Sequence, residues 1–153
     1  MSDFPISLLS NKIIITGVIA WAVSQVLKTL INLVVNKEFS LERLFGDGGM
    51  PSSHSATVSS VAIAIAFTSG WDSVEFAIAF FLAVIVMHDA MGVRLETAKQ
   101  AKAINDLTEF VEAMAGEDLT PEDKLKEFVG HTPLQVFFGL VLGIIIALFM
   151  YMR

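Results

Sequence analysis

Gly48-Gly49-Met50-Pro51-Ser52-Ser53-His54-Ser55-Ala56 leads without a break into Thr57–Phe67, TVSSVAIAIAF, so a polar, glycine-flanked motif opens an apolar run. Pro51 suits the first turn of a helix, where its missing N–H has no partner to lose. A helix beginning there would turn the N–H groups of Ser52, Ser53 and His54 outward. Open backbone donors, the helix dipole and adjacent hydroxyls make an anion site. His54 adds a group that moves protons near neutral pH. Phosphate on one side of this junction and a membrane helix on the other are what a membrane-bound phosphatase requires.

The rest of the chain supports a membrane setting. Of its 153 residues, 54% are hydrophobic, above the usual range for a soluble domain. Ile13–Val35 and Leu134–Met152 are long apolar spans, and Ser55–Phe67 with its flanks and Val74–Met87 are shorter ones. A span takes about 20 residues, fewer where its ends are buried in protein. The expected fold is therefore all-α: a single polytopic membrane bundle of about four transmembrane helices. These lie near 13–35, 53–70, 74–91 and 133–152, with a cytoplasmic helical insertion near 92–132. The alternative, a soluble bundle with buried helices, would have to hide too much apolar surface for a chain this short.

Composition excludes several classes. Met1–Asn11 holds Asp3 and no basic cluster, so no cleavable signal is expected. The absence of cysteine removes disulfide and thiolate chemistry, and a net charge of −6 argues against nucleic acid and against broad adhesion to anionic lipid. The cations set the expected orientation. Lys37, Arg43, Arg94, Lys99, Lys102, Lys124 and Lys126 fall in the loops 36–52 and 88–133, whereas the opposite side holds Lys12 and Arg153. The first set belongs in the cytoplasm.

Within the helices, polar residues are spaced to share faces. Trp21, Gln25, Lys28 and Asn32 fall on one face of the first span. Lys28 either looks into a polar cavity or snorkels to the surface. Ser52, Ser55, Ser59, Ala62 and Ala66 form a small-residue stripe, and Ser59 and Ser60 read as packing residues. Gly139 and Gly143 make a close-packing face for another helix, in this chain or a second copy.

The third span ends in His88-Asp89-Ala90-Met91-Gly92-Val93-Arg94. Adjacent helical residues do not face each other, so His88-Asp89 is a poor metal site. Asp89 and Arg94 are better read as a hydrogen-bonded rim of an anion site, or else as a surface ion pair worth little. An amphipathic helix is expected over 95–115, with Ala98, Ala101, Ile104, Leu107 or Thr108, Val111 and Ala115 as its apolar stripe and Gly116 as its stop. Thr120-Pro121 should start a short helix that Gly130 closes, and Pro133 should open the last span.

Three segments carry a family likeness: GGMPSSHSA (48–56), DAMGVRLETAKQAKAIN (89–105) and GHTPLQVFFG (130–139). With these the chain resembles the divergent branch of the type 2 phosphatidic acid phosphatase and vanadium haloperoxidase superfamily, small membrane proteins of bacteria and plastids. The superfamily motif Pro-Ser-Gly-His reads here Pro51-Ser52-Ser53-His54, and His-x-Pro-x-x-Val-x-x-Gly spans His131 to Gly139. The resemblance implies that His54 is the general acid for the leaving group and that His131 attacks phosphorus to form a phosphohistidine. Gln135 stands where the superfamily has an aspartate that orients the nucleophile. Its oxygen can accept from the ring N–H but carries no charge, so a slower enzyme, or help from Asp89, is implied.

Lys28 matches the superfamily's first-motif lysine, while Val35 replaces the arginine that should follow it. Arg43 is the nearest substitute for that arginine, and Arg94 for the arginine missing before His131. Lys28, Arg43, Arg94, Ser52 and Ser53 would then bind the substrate phosphate, with His131, His54, Gln135 and Asp89 catalytic.

The expected activity is dephosphorylation of a phosphorylated lipid with no metal or cofactor, at the cytoplasmic face of a bacterial plasma membrane. Phosphatidylglycerophosphate is the first substrate, ahead of phosphatidic acid and polyprenyl diphosphate. A homodimer could supply helices that the usual superfamily core has and this chain lacks. The rival readings are a non-catalytic membrane protein that binds phosphate or lipid headgroups, and a structural or transport subunit. Haloperoxidase chemistry has no rationale at a cytoplasm-facing site.

Overall fold

The computed structural model describes residues 10–37, 49–115, 125 and 130–152. Arg43, Gly116 and the short helix expected after Thr120 lie outside the described residues. Among the described residues are five helices: α1 (Lys12–Asn36), α2 (Ser53–Ser69), α3 (Val74–Met91), α4 (Val93–Ala115) and α5 (Pro133–Tyr151).

Short polar side chains set the helix starts by accepting the orphan first-turn amides. Asn11 Oδ1 accepts from Ile13 and Ile14 N–H at 3.0 and 3.2 Å. Ser52 caps α2 through Ser55 N–H, and Ser73 caps α3 through Phe76 N–H. Thr132 and Gln135 form a reciprocal capping box at the head of α5, with Pro133 in the first turn as expected. Pro51 differs from expectation. It precedes the cap rather than sitting inside the first turn, because Ser52 supplies the cap oxygen.

α2 is the centre of the bundle and packs against α5, α1 and α3. Its buried residues are Ser53, Ser55, Ala56, Ser59, Ser60, Ala62, Ala64 and Ala66, which occupy more than one face. Its 17 residues span about 25 Å at 1.5 Å per residue. That is shorter than the bilayer core, but neighbouring helices wall it in. α1, α3 and α5 are each long and apolar enough to cross a membrane.

Large apolar side chains point outward, among them Val18, Leu30, Val34, Ile78, Phe81, Ile85, Phe137 and Phe149. The largest fully buried side chain is His131, followed by Thr16, Ser24, Ser52, Ser55 and Ser60. A small-residue interior inside an apolar exterior is the membrane pattern, in which close helix contact replaces the hydrophobic effect between helices. Buried hydroxyls close on backbone carbonyls of their own helix: Ser59 Oγ donates to Ser55 O at 2.7 Å and Ser60 Oγ to Thr57 O at 2.8 Å. That satisfies them where water is absent. Both serines are buried packing residues, as the sequence reading expects.

Gly139 and Gly143 find their partner in the same chain. Gly139 lies against Ser52 and Ser55, and Gly143 against Ala56 and Ser59. That face is consumed internally and is not available to a second copy. On α1 the buried face is Thr16, Ala20, Ser24, Gln25 and Lys28, so Trp21 departs from the expected polar face and turns outward.

The two ends of the bundle differ in character. At one end Lys12 Nζ sits 4.5 Å from the centre of the Tyr151 ring, Phe67 stacks on Tyr151, and Trp71 meets Phe67 and Phe76. An aromatic collar of this kind suits a membrane–water interface. The other end gathers the start of α2, the end of α3 and the start of α5. α4 departs from there at Gly92 and contacts only α3 among the helices. Ala98 and Ala101 of its apolar stripe are buried, whereas Ile104, Leu107 and Val111 are exposed.

Candidate active site

Two histidine-bearing helix starts are brought together at this second end. The Ser52 N–H donates to the Gln135 carbonyl at 3.0 Å, tying the start of α2 to the first turn of α5. The His131 N–H donates to the Ala90 carbonyl at 3.0 Å, tying the same turn to the end of α3. Gly130 lies directly against the backbone of Arg94 and Leu95, closer than any side chain would permit. His131 is consequently fully buried, 0% exposed, and His54 is half-buried beside it.

His54 Nδ1 and His131 Nε2 are 3.5 Å apart, with the rings inclined at 60°. The proton positions follow from Gln135. Its Oε1 accepts from the Thr132 N–H at 3.0 Å. A backbone N–H can only donate, so the atom facing it must be the amide oxygen. The same Oε1 lies 3.4 Å from His131 Nδ1, which must therefore carry the hydrogen in the neutral ring. With that tautomer, His131 Nε2 presents a lone pair toward His54 Nδ1, which can donate to it. One ring nitrogen thus stands as an acceptor and the other as a donor.

Positive charge surrounds the pair. Lys28 is 4% exposed and its Nζ donates to Ser53 Oγ at 3.2 Å, so it faces the interior. Gly49 packs on the stem of Lys28. A Cβ at Gly49 would stand 3.0 Å from Lys28 Cγ, and its φ of +98° favours glycine besides. Ser53 and His54 occupy the first turn of α2, the positive end of the helix dipole.

The expected binding residues divide by location. Lys28, Ser53, His54, His131 and Gln135 form one connected set: Lys28 bonds Ser53, His54 follows Ser53 in the first turn of α2, and His131 lies between His54 and Gln135. Ser52 is fully buried, with its N–H donating to the Gln135 carbonyl and its Oγ accepting from Ser55 N–H and Ser55 Oγ, so it shapes the site from behind. Asp89 and Arg94 form an ion pair, Arg94 Nε donating to Asp89 Oδ2 at 2.9 Å with the Arg94 side chain 40% and the Asp89 side chain 44% exposed, which fits either the rim or the surface reading of these two residues. Asp89 thus neutralises Arg94, while the ring of His131 is oriented by Gln135. Arg43 lies outside the described residues.

Sequence reading passed over the carbonyl of Ala90, the backbone approach at Gly130 and the Lys28–Gly49 contact. A glycine adjoining the histidine motif was the one available signal, and it does not say which distant backbone comes close. Gln25, one turn before Lys28, was noted only for its face. It is 6% exposed and its buried Oε1 has no hydrogen-bond partner among the described residues.

Comparison with known proteins agrees with this arrangement at the family level. The sequence model described as "Divergent PAP2 family" matches residues 9–146. A relative in Bacillus subtilis (strain 168), described as "Uncharacterized membrane protein YuiD", is 37% identical over 149 residues, covering 92% of this chain and 94% of the relative. No solved structure matches. With three membrane-length helices, an interior of small residues and a family match over nearly all its length, the chain is an integral membrane protein that belongs to the Divergent PAP2 family.

Proposed function

We propose that this protein is a lipid phosphate phosphatase that works through a phosphohistidine on His131. The observation that carries the reading is the fixed relation of three side chains: Gln135 Oε1 on His131 Nδ1, and His131 Nε2 on His54 Nδ1. Nε2 attacks phosphorus, the phosphorus–oxygen bond to the lipid breaks, and the leaving oxygen takes the proton from His54. Water then attacks the phosphohistidine while His54 accepts its proton, releasing inorganic phosphate and restoring both rings. Lys28, Ser53 and the first turn of α2 hold the equatorial oxygens, where charge accumulates. No step calls for a metal.

The rings must part for this to happen. A phosphoryl group in line between them needs about 3 Å from the attacking nitrogen to phosphorus, a phosphorus–oxygen bond of about 1.6 Å, and about 3 Å from the leaving oxygen to the acid, so with a bend at that oxygen the two nitrogens stand about 6–7 Å apart. The observed 3.5 Å is the contact that substrate replaces.

The site faces the cytoplasm by the bias of Lys and Arg across the loops, in a bacterial plasma membrane. That placement favours a lipid made and dephosphorylated on the inner face, with phosphatidylglycerophosphate first. The decisive experiment measures phosphate release by the purified, detergent-solubilised protein from phosphatidylglycerophosphate, phosphatidic acid and polyprenyl diphosphate, with chelator present and His131→Ala in parallel. Release that persists in chelator and disappears in the variant is the expected result.

One observation favours a second reading, a headgroup-binding protein without turnover. The partner of His131 Nδ1 is a neutral amide, which cannot stabilise an imidazolium as a carboxylate would. A folded protein that binds lipid phosphate equally well with and without His131→Ala, and releases none, would establish that alternative.

A further inference from the structure

One buried polar group beside the site is left over. Gln25 is 6% exposed, and its Oε1 has no hydrogen-bond partner among the described residues. The hydroxyls around it on α1 close on backbone carbonyls: Thr16 on Lys12 O, Ser24 on Trp21 O and Thr29 on Gln25 O. An unpaired amide oxygen in a dry interior is costly, and a donor that arrives there relieves the cost. We infer that Gln25 accepts from a hydroxyl on the leaving group of the substrate, and so selects phosphorylated lipids whose headgroup is a polyol. The inference rests on the phosphatase reading and narrows its substrate.

Packing sets Gln25 beside the acid. Gly17 of α1 lies against Thr57 and Val61 of α2, and Lys28 Nζ reaches Ser53. The two helices are therefore antiparallel. Gln25 falls on α1 between Gly17 and Lys28, level with the first turns of α2, where His54 sits. Gln25 and Lys28 are three residues apart and share a side of α1. In the in-line reaction His131 attacks from the α5 side. The leaving oxygen and the carbons beyond it then lie on the side of His54 and α1.

The surroundings choose the donor. An ionised phosphate offers acceptors only, so it is no partner for the Gln25 oxygen. The partner belongs to the organic part of the substrate. Lys28, buried one turn away, opposes a cationic donor such as an ammonium headgroup. A neutral hydroxyl close to the phosphate remains. It suits either end of the carboxamide, because it both donates and accepts. Phosphatidylglycerophosphate carries such a hydroxyl on the carbon next to the phosphorylated one. In phosphatidic acid that carbon is esterified, and the chain of a polyprenyl diphosphate has no hydroxyl.

The test compares two substrates that differ by one oxygen atom. One is phosphatidylglycerophosphate. The other is its analogue with propane-1,3-diol in place of the headgroup glycerol. Phosphate release is measured in detergent for the full-length protein, Gln25→Leu and Gln25→Met. The natural protein should favour the hydroxyl-bearing lipid about 10- to 100-fold in kcat/KM. Both variants should bring that ratio to about one, by losing the hydroxyl-bearing lipid while the analogue reacts as before. The melting temperature should hold or rise, since each variant replaces an unpartnered amide with an apolar group. A natural protein that does not distinguish the two lipids overturns the inference. So do variants that slow both alike, the mark of a structural role. A lowered melting temperature would show that the amide already has a partner in the free protein, and it overturns the inference too. If no lipid releases phosphate, the phosphatase reading falls, and equilibrium binding of the same two lipids decides for Gln25. A preference that both variants abolish keeps the hydroxyl site in a headgroup-binding protein; equal binding removes it.

Discussion

The Ser52 N–H donates to the Gln135 carbonyl at 3.0 Å, so the helix starts that carry His54 and His131 are fastened through main chain alone. Among substitutions at position 52, proline alone removes the donor of this bond. The separation of the two rings is therefore a property of the backbone, and changes to neighbouring side chains should alter reactivity before they alter placement.

Gln135 is the sharpest case. Gln135→Leu removes the acceptor at His131 Nδ1 and frees the ring to adopt the wrong tautomer. kcat should fall about 10²- to 10⁴-fold, with KM little changed. Gln135→Glu retains the length needed for the capping box and adds the missing charge, and kcat should rise above that of the natural protein. Steady-state kinetics on phosphatidylglycerophosphate decides both.

Lys28 is a buried cation whose Nζ donates to Ser53, the residue before His54. Lys28→Met keeps the stem and discards the charge, and kcat/KM should fall about 10²- to 10³-fold. Orthovanadate, which mimics five-coordinate phosphorus, should lose inhibitory potency in parallel. Unchanged vanadate inhibition would remove Lys28 from the clamp.

Gly49→Ala tests how the lysine is held. At φ +98° and with Lys28 Cγ 3.0 Å from the new Cβ, the substitution should cost about 1–2 kcal/mol in backbone strain. It should also displace the lysine. A lowered melting temperature together with a raised KM is expected.

The α2–α5 contact should be intolerant of bulk. Gly143→Leu drives a side chain into Ser59 and Ala56 and should cost about 3 kcal/mol or more. Ser59→Ala should cost under about 1 kcal/mol, since its hydroxyl donates to Ser55 O of its own helix at 2.7 Å and to Leu140 O of α5 only at 3.3 Å, and such a hydroxyl contributes little net. Thermal unfolding in detergent separates the two.

Arg94→Ala should change stability by less than about 1 kcal/mol, because its pairing with Asp89 is exposed to solvent. If Arg94 meets the substrate, KM rises and kcat holds. Equal kinetics would confine the pair to the surface.

The membrane helices, the Pro133 helix start and the union of His54 with His131 at one end were legible in the sequence, because they depend on local composition and on which side of the membrane each loop occupies. The position of Pro51 was not legible, because Ser52 competes with it for the helix start and wins by capping. Trp21 misled because helical periodicity groups residues by face without ranking which of them the neighbouring helix covers. The partner of Gly139 and Gly143 could not be read either: small residues announce a close approach, but only tertiary packing says against what. The role of Ala90 is carried by a carbonyl, which every residue possesses.

The interior of alanine, serine and glycine around α2 has a consequence for motion. Such side chains have few or no alternative rotamers, so ordering them costs little entropy and leaves almost nothing to rearrange afterward. The wall behind His131 is stiff for that reason. When the two rings separate to admit phosphorus, the movement falls to the torsions of the half-buried His54, turning like a latch on a fixed frame.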